Sequence, residues 1–199
     1  MRLLLTATVA SVAIATAACS NDSAGNADVN ISNEAMMNDG INADMNMSGN
    51  NAAATGTALA PAEFVAAVAG SDMYEIESGK LAQSKGTSDA IKQMGAKLVT
   101  DHTKSSTDLK AAAAAASPAV TVPAALPVDQ EAKLAALRAA TGAEFDRLFV
   151  EQQKAAHQMT LGVLQSYASG GTAGPLKDFA TKAAPVVEAH LTQMQSMSM

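Results

Sequence analysis

Residues 88–116 read SDAIKQMGAKLVTDHTKSSTDLKAAAAAA, and the reading of this stretch decides the fold. Ile91, Met94, Leu98, His102, Ser105 and Leu109 recur at three- and four-residue spacing, the period of one face of an α-helix. Ser88 is suited to cap such a helix, and the alanine run after Lys110 extends it with little side-chain entropy to lose. His102 stands on this stripe where an aliphatic side chain is expected.

The segments on either side follow the same period. From Pro61 to Lys85, residues Phe64, Val65, Val68, Glu75, Gly79 and Ala82 fall on or near one stripe, and Gly86 is a plausible stop. Downstream, SPAVTVPAALPVDQ carries Pro118, Pro123 and Pro127, which deny it a regular helix and stiffen it as a spacer. Asp129 can cap a third helix over Gln130–Tyr167, with Leu134, Leu137, Phe145, Leu148, Phe149, Met159 and Val163 apolar. ASGGTAG makes a turn, and Pro175 suits the first position of a fourth helix. That helix has the stripe Leu176, Phe179, Ala183, Val187, His190 and Met194, with Pro185 expected to kink or divide it. Nothing alternates with a strand's period of two, so the expected fold is an all-α four-helix bundle.

The chain has three histidines, and each sits on a stripe. His102 and His190 have been placed, and His157 shares a face with Val150, Leu161 and Leu164. At roughly 1.5 Å of rise per residue, His102 lies about 24 Å from the turn at Gly86. By the same rise His157 and His190 lie about 20 and 27 Å from the turn near Gly171, and Glu75 about 16 Å from its own turn. Whether the turns share an end or a long crossover separates them, the histidines fall in one mid-bundle layer. Facing helices build metal sites from such layers, and three imidazoles with a carboxylate suit Zn, Cu, Fe or Ni. Glu75, His102, His157 and His190 are therefore the candidate metal ligands. The paired Glu-x-x-His signature of di-iron bundles is missing, since Val99, Lys154 and Val187 stand three residues before the histidines. Without metal, each buried ring nitrogen needs a hydrogen-bond partner, for which Glu75, Asp101 and Tyr74 are the candidates.

Residues 1–18 read as an export signal, a short apolar stretch after Arg2 that is too short for an ordinary membrane span. The sequence T-A-A-C ending at Cys19 resembles a bacterial lipobox, which implies lipidation of that cysteine. It is the only cysteine, so no disulfide forms within one chain. Residues 19–58, rich in Asn, Ala and Gly and without an aromatic residue, are expected to be a disordered tether. Residues 59–199 are expected to form one helical domain. The chain carries 13 Lys plus Arg against 19 Asp plus Glu with no basic cluster, which argues against nucleic acid as a partner. The membrane connection is the anchor, and no protein partner can be named.

Three stretches carry a family resemblance: MYEIESGKLAQSKGTSDAIKQMGAKLVTDHTKSSTDLK, TGAEFDRLFVEQQKAAHQMTLGVLQSYASG and PLKDFATKAAPVVEAHLTQM. With their Gly-x-Leu-Ala, Asp-His, G-x-x-F-D and P-x-x-x-x-H-L elements, the chain resembles the DUF4142 proteins. The resemblance implies a ferritin-like four-helix domain in an exported or outer-membrane protein. It places the family's recurrent polar residues on Glu75, Asp101, His102, Asp146, His157 and His190. Where the family often has Asp-His in the third helix, this chain has Ala156-His157. The expectation is a lipid-anchored envelope protein, in the outer membrane facing the periplasm, or periplasmic if Cys19 is unmodified. Its expected role is binding or structure rather than catalysis, because no nucleophile–base arrangement can be located. The alternative is a metal-binding or redox protein that uses the histidine layer.

Overall fold

The computed structural model describes residues 58–197. Cys19 and the expected tether, except its last residue, lie outside the described residues. Five helices follow in order: α1 (Pro61–Lys85), α2 (Asp89–Ala115), α3 (Val128–Ala139), α4 (Gly142–Gly170) and α5 (Pro175–Gln195). The architecture is all-α, with four long packed helices and the shorter α3 beside them.

Helix starts follow local chemistry. Pro61 opens α1, and the Glu63 side chain accepts from the Ala60 amide at 3.1 Å. Ser88 Oγ accepts from the Ile91 amide at 3.3 Å and caps α2 as its position suggests. One expectation needs correction. The single helix over Gln130–Tyr167 is broken between α3 and α4, where Ala140 and Thr141 are extended and Gly142 takes φ of 58°. A left-handed residue cannot continue a right-handed helix, and glycine adopts that region without penalty. Of the kink or division expected at Pro185, division does not occur, and α5 runs unbroken from Pro175 to Gln195. Pro185 is exposed, so water can satisfy the carbonyl it leaves unbonded.

The connectivity puts the two hairpin turns at opposite ends. Thr87, in the α1–α2 turn, bonds through its amide to Asp146 Oδ1 at 3.0 Å, at the start of α4. Its hydroxyl also bonds to Asp146. At the other end Tyr167, late in α4, stacks on Phe64 of α1 with ring centroids 3.9 Å apart. The proline-rich linker and α3 therefore form a long crossover. The α1–α2 hairpin is closed tightly: a Cβ on Gly79 would lie 2.7 Å from Gly95 O, and one on Gly95 2.6 Å from Gly79 O. Only paired glycines allow that approach.

The core is divided. One apolar block gathers Phe64, Val65, Val68, Leu109, Leu164, Tyr167, Leu176 and Phe179. The other gathers Tyr74, Met94, Leu98, Leu134, Leu137, Phe145, Phe149 and Met194. Between them lies a buried polar layer of Asp72, Glu75, Ser78, His102, Gln153, His157 and His190. Buried polar groups are costly unless paired, so the layer must be satisfied internally or by a ligand.

Candidate metal centre

Each long helix contributes to the layer from its buried face. Asp72 and Glu75 come from α1, His102 from α2, Gln153 and His157 from α4, and His190 from α5. In α1 the spacing Val65, Val68, Asp72, Glu75, Gly79, Ala82 alternates three and four residues, so both carboxylates ride the core stripe.

The three histidines converge. Their ring centroids are 5.5–5.7 Å apart, and one nitrogen from each lies within 4.8 Å of the other two. Every ring commits one nitrogen to an oxygen behind it. His102 Nδ1 is 2.8 Å from Asp72 Oδ1, His157 Nδ1 is 3.0 Å from the Gln153 carbonyl, and His190 Nε2 is 2.8 Å from Asp101 Oδ2. A carbonyl or carboxylate only accepts, so these nitrogens carry protons. The opposite nitrogens, His102 Nε2, His157 Nε2 and His190 Nδ1, are then lone-pair acceptors when the rings are neutral. His157 Nε2 and His190 Nδ1 face each other at 3.4 Å, and His102 Nε2 has no hydrogen-bond partner among the described residues. Two facing lone pairs repel unless a cation or a proton stands between them. Tetrahedral ligands about 2.05 Å from a metal stand roughly 3.3 Å apart, close to the separation of that pair.

The surrounding charges fit this arrangement. Burial, reinforced by the charges of His102 and His190, pushes His157 down to about 3, so its ring is neutral at ordinary pH. Burial also lowers His190, and the Asp101 bond only partly offsets it. His102 goes the other way: burial disfavours its charge, but the Asp72 bond and the charges of Glu75, Asp72 and Asp101 together raise it. Burial drives the Glu75 carboxyl up to about 8, against the pull of His102 and the nearby Gln153 amide. One N–H of that amide donates to Ser78 Oγ, 2.8 Å from its Nε2.

Glu75 Oε1 sits 3.6 Å from His157 Nδ1, the nitrogen turned away from the other rings, and both Glu75 oxygens lack hydrogen-bond partners among the described residues. In this rotamer Glu75 stands behind His157, so the three imidazoles form the donor set with acidic groups around them. Of the expected hydrogen-bond partners, Asp101 holds His190, whereas Tyr74 donates to Gln152 at 2.8 Å. Asp146 serves the α1–α2 turn and is not in the cluster. Asp72, not among the expected partners, holds His102 and also accepts from Ser106 Oγ at 3.3 Å. Its place three residues before Glu75 was the available signal.

One expectation is overturned by this geometry. The sequence favours binding or structure over catalysis, because it shows no nucleophile–base arrangement. The buried His102, His157 and His190 triad with its acidic partners is a candidate metal or catalytic site. Such a donor set is consistent with a divalent transition metal.

Residues 46–197 match the model of a family described as a domain of unknown function (DUF4142), and the chain belongs to that family. No curated protein and no solved structure matches the chain.

Proposed function

We propose that this DUF4142 domain holds a divalent transition metal on His102, His157 and His190 and uses it in binding or redox chemistry. The observation that carries the reading is the backing of all three rings by oxygens, which leaves three lone pairs turned toward one another. Metal-ligating histidines are usually held in this way, with the second ring nitrogen donating to a carboxylate or a carbonyl. Asp72, the Gln153 carbonyl and Asp101 would fix the tautomers, and Glu75 would supply a further carboxylate beside the site. Zn, Cu, Fe or Ni bound there would provide Lewis acidity or, for Cu and Fe, one-electron chemistry. Three protein ligands leave a fourth position open, the pattern of catalytic rather than structural centres.

Metal analysis of protein purified without chelator, paired with calorimetric titration of the apo form, tests the reading. At least one of the four metals should bind at one site per chain. Its affinity should fall steeply below about pH 6, because imidazole must lose its proton to ligate. Binding weaker than about 1 mM for all four would remove the proposal.

The wider reading is also a proposal. One long crossover joining two antiparallel hairpins supports a ferritin-like bundle over residues 59–199. The apolar stretch ending in Ala17-Ala18-Cys19 supports a lipid anchor after a signal over residues 1–18, with residues 19–58 as a tether. Such a protein would sit in the cell envelope, as an outer-membrane lipoprotein facing the periplasm. No helix among the described residues is long and apolar enough to cross a membrane. Intact-mass measurement on membrane-extracted protein should show a mature chain beginning at lipidated Cys19. An unmodified chain starting elsewhere would refute the anchor.

A further inference from the structure

The triad is buried too deeply for a hydrated cation to reach it without movement. The side chains of His102, His157, His190, Asp72 and Glu75 are at most 5% exposed. Asp101, which backs His190, is 28% exposed and is where this network meets water. Within each hairpin a short turn ties the helices together, and in α1–α2 the Gly79–Gly95 approach and the Asp72–His102 bond add to it. Opening therefore falls to the seams between the hairpins, α1–α4 and α2–α5.

Those seams are unequal. Across α1–α4, Ser71 bonds to Thr160 at 2.9 Å, while Tyr74 donates to Gln152 and Gln153 to Ser78, both at 2.8 Å. The short α3 straps the same side: Lys85 of α1 donates to the Leu137 carbonyl at 3.1 Å, and Gln152 of α4 to the Lys133 carbonyl at 3.4 Å. Across α2–α5 the Asp101–His190 bond stands alone, with no other side-chain hydrogen bond between these helices among the described residues. Parting α2 from α5 breaks that bond, whereas parting α1 from α4 breaks several, so local opening favours the α2–α5 side.

The rim charges differ in the same sense. Asp101 Oδ2 accepts from both His190 Nε2 and Lys97 Nζ, each at 2.8 Å. Lys97 lies on the same helix as Asp101, so it steadies the carboxylate without bridging to α5. Once α5 moves away, Asp101 offers an arriving cation a carboxylate beside the ligand ring it has released. On the other side Lys133 lines the α1–α4 seam with Ser71, Tyr74 and Thr160, and a cation there repels divalent ions.

We propose that divalent cations enter and leave the His102–His157–His190 centre through the α2–α5 seam. Asp101 is the rim carboxylate that collects them, and His190 is the ligand that moves aside with α5. The route rests on the metal-binding reading above.

Stopped-flow mixing of the metal-free full chain with Co(II), followed by visible absorption, tests it. Lys97→Gln removes a cation from the α2–α5 rim, and Lys133→Gln removes one from the α1–α4 rim. The two side chains are similarly exposed, at 44% and 40%, so both variants should fold. A rim charge acts chiefly on the association rate and its salt dependence. Lys97→Gln should take up cobalt roughly two- to fivefold faster at low salt, with the gain shrinking at high salt. Asp101→Asn, which keeps an acceptor for His190 without the charge, should slow uptake by a similar factor. Lys133→Gln should stay close to the natural rate. No acceleration in Lys97→Gln, or an equal or greater one in Lys133→Gln, would overturn the route and leave the metal centre standing. Failure of the natural chain to take up cobalt at all would overturn both.

Discussion

Replacing His157 with alanine is expected to weaken divalent-metal binding by roughly 100-fold or more. Zinc held by four protein ligands is worth about 10–16 kcal/mol at neutral pH, so one ligand carries about 3 kcal/mol, a factor on the order of 100. His157 is the sharpest choice because its ring partners on both sides are fixed. Nδ1 donates to a main-chain carbonyl that mutation of Gln153 would leave in place, and Nε2 faces His190. Metal at about 1,000 times its Kd should stabilise the natural domain by roughly 4 kcal/mol, and the variant at the same concentration by only about 1.4 kcal/mol. Chelator competition and metal-dependent melting read the two effects independently. Equal affinity in the variant and the natural chain would mean that the metal sits elsewhere.

Glu75→Gln should make the metal-free domain more stable at alkaline pH. Burial raises the Glu75 carboxyl to about 8 from an ordinary value of 4.5. The folded state therefore binds this proton more tightly than the unfolded state does. The resulting stability is fully present below about pH 4.5 and is lost as pH rises toward 8, at roughly 1.4 kcal/mol per pH unit. Glutamine stays neutral throughout and loses nothing. The stability difference between Glu75→Gln and the natural chain should accordingly grow by on the order of 4 kcal/mol between pH 5 and pH 8. Urea unfolding in the presence of a chelator, repeated at several pH values, gives the difference directly. Parallel pH profiles for the two proteins would show that Glu75 is ionised inside the fold without cost.

The histidine layer was legible because 3.6-residue periodicity and helical rise are both fixed by backbone geometry. His102, His157 and His190 interrupted apolar stripes at matching heights, and they do meet. Asp72 escaped because a stripe traced through hydrophobic residues passes over a carboxylate, although its spacing to Val68 and Glu75 is four and three residues. Glu75 was legible as an interior residue, but its side of the His157 ring depends on a rotamer that spacing does not encode. The break before α4 was hidden by alanines around Ala139 with high helix propensity. Thr141 followed by Gly142 was its signal. At the exposed Pro185 the helix is not divided, since proline costs a helix less where water can reach the freed carbonyl.

The two hairpins divide the ligands between them. His102 and its Asp72 partner belong to the α1–α2 hairpin, whereas His157 and His190 belong to α4 and α5. Each hairpin is joined by a short turn and can assemble from contacts near in sequence, which form quickly. The triad exists only after the two have docked across the long crossover. Metal capture would then time the last stage of folding: a chain with both hairpins formed but undocked offers two imidazoles at most. A stopped-flow experiment that adds metal at successive refolding times would read the docking step as the appearance of tight sites, later than the return of helical circular dichroism.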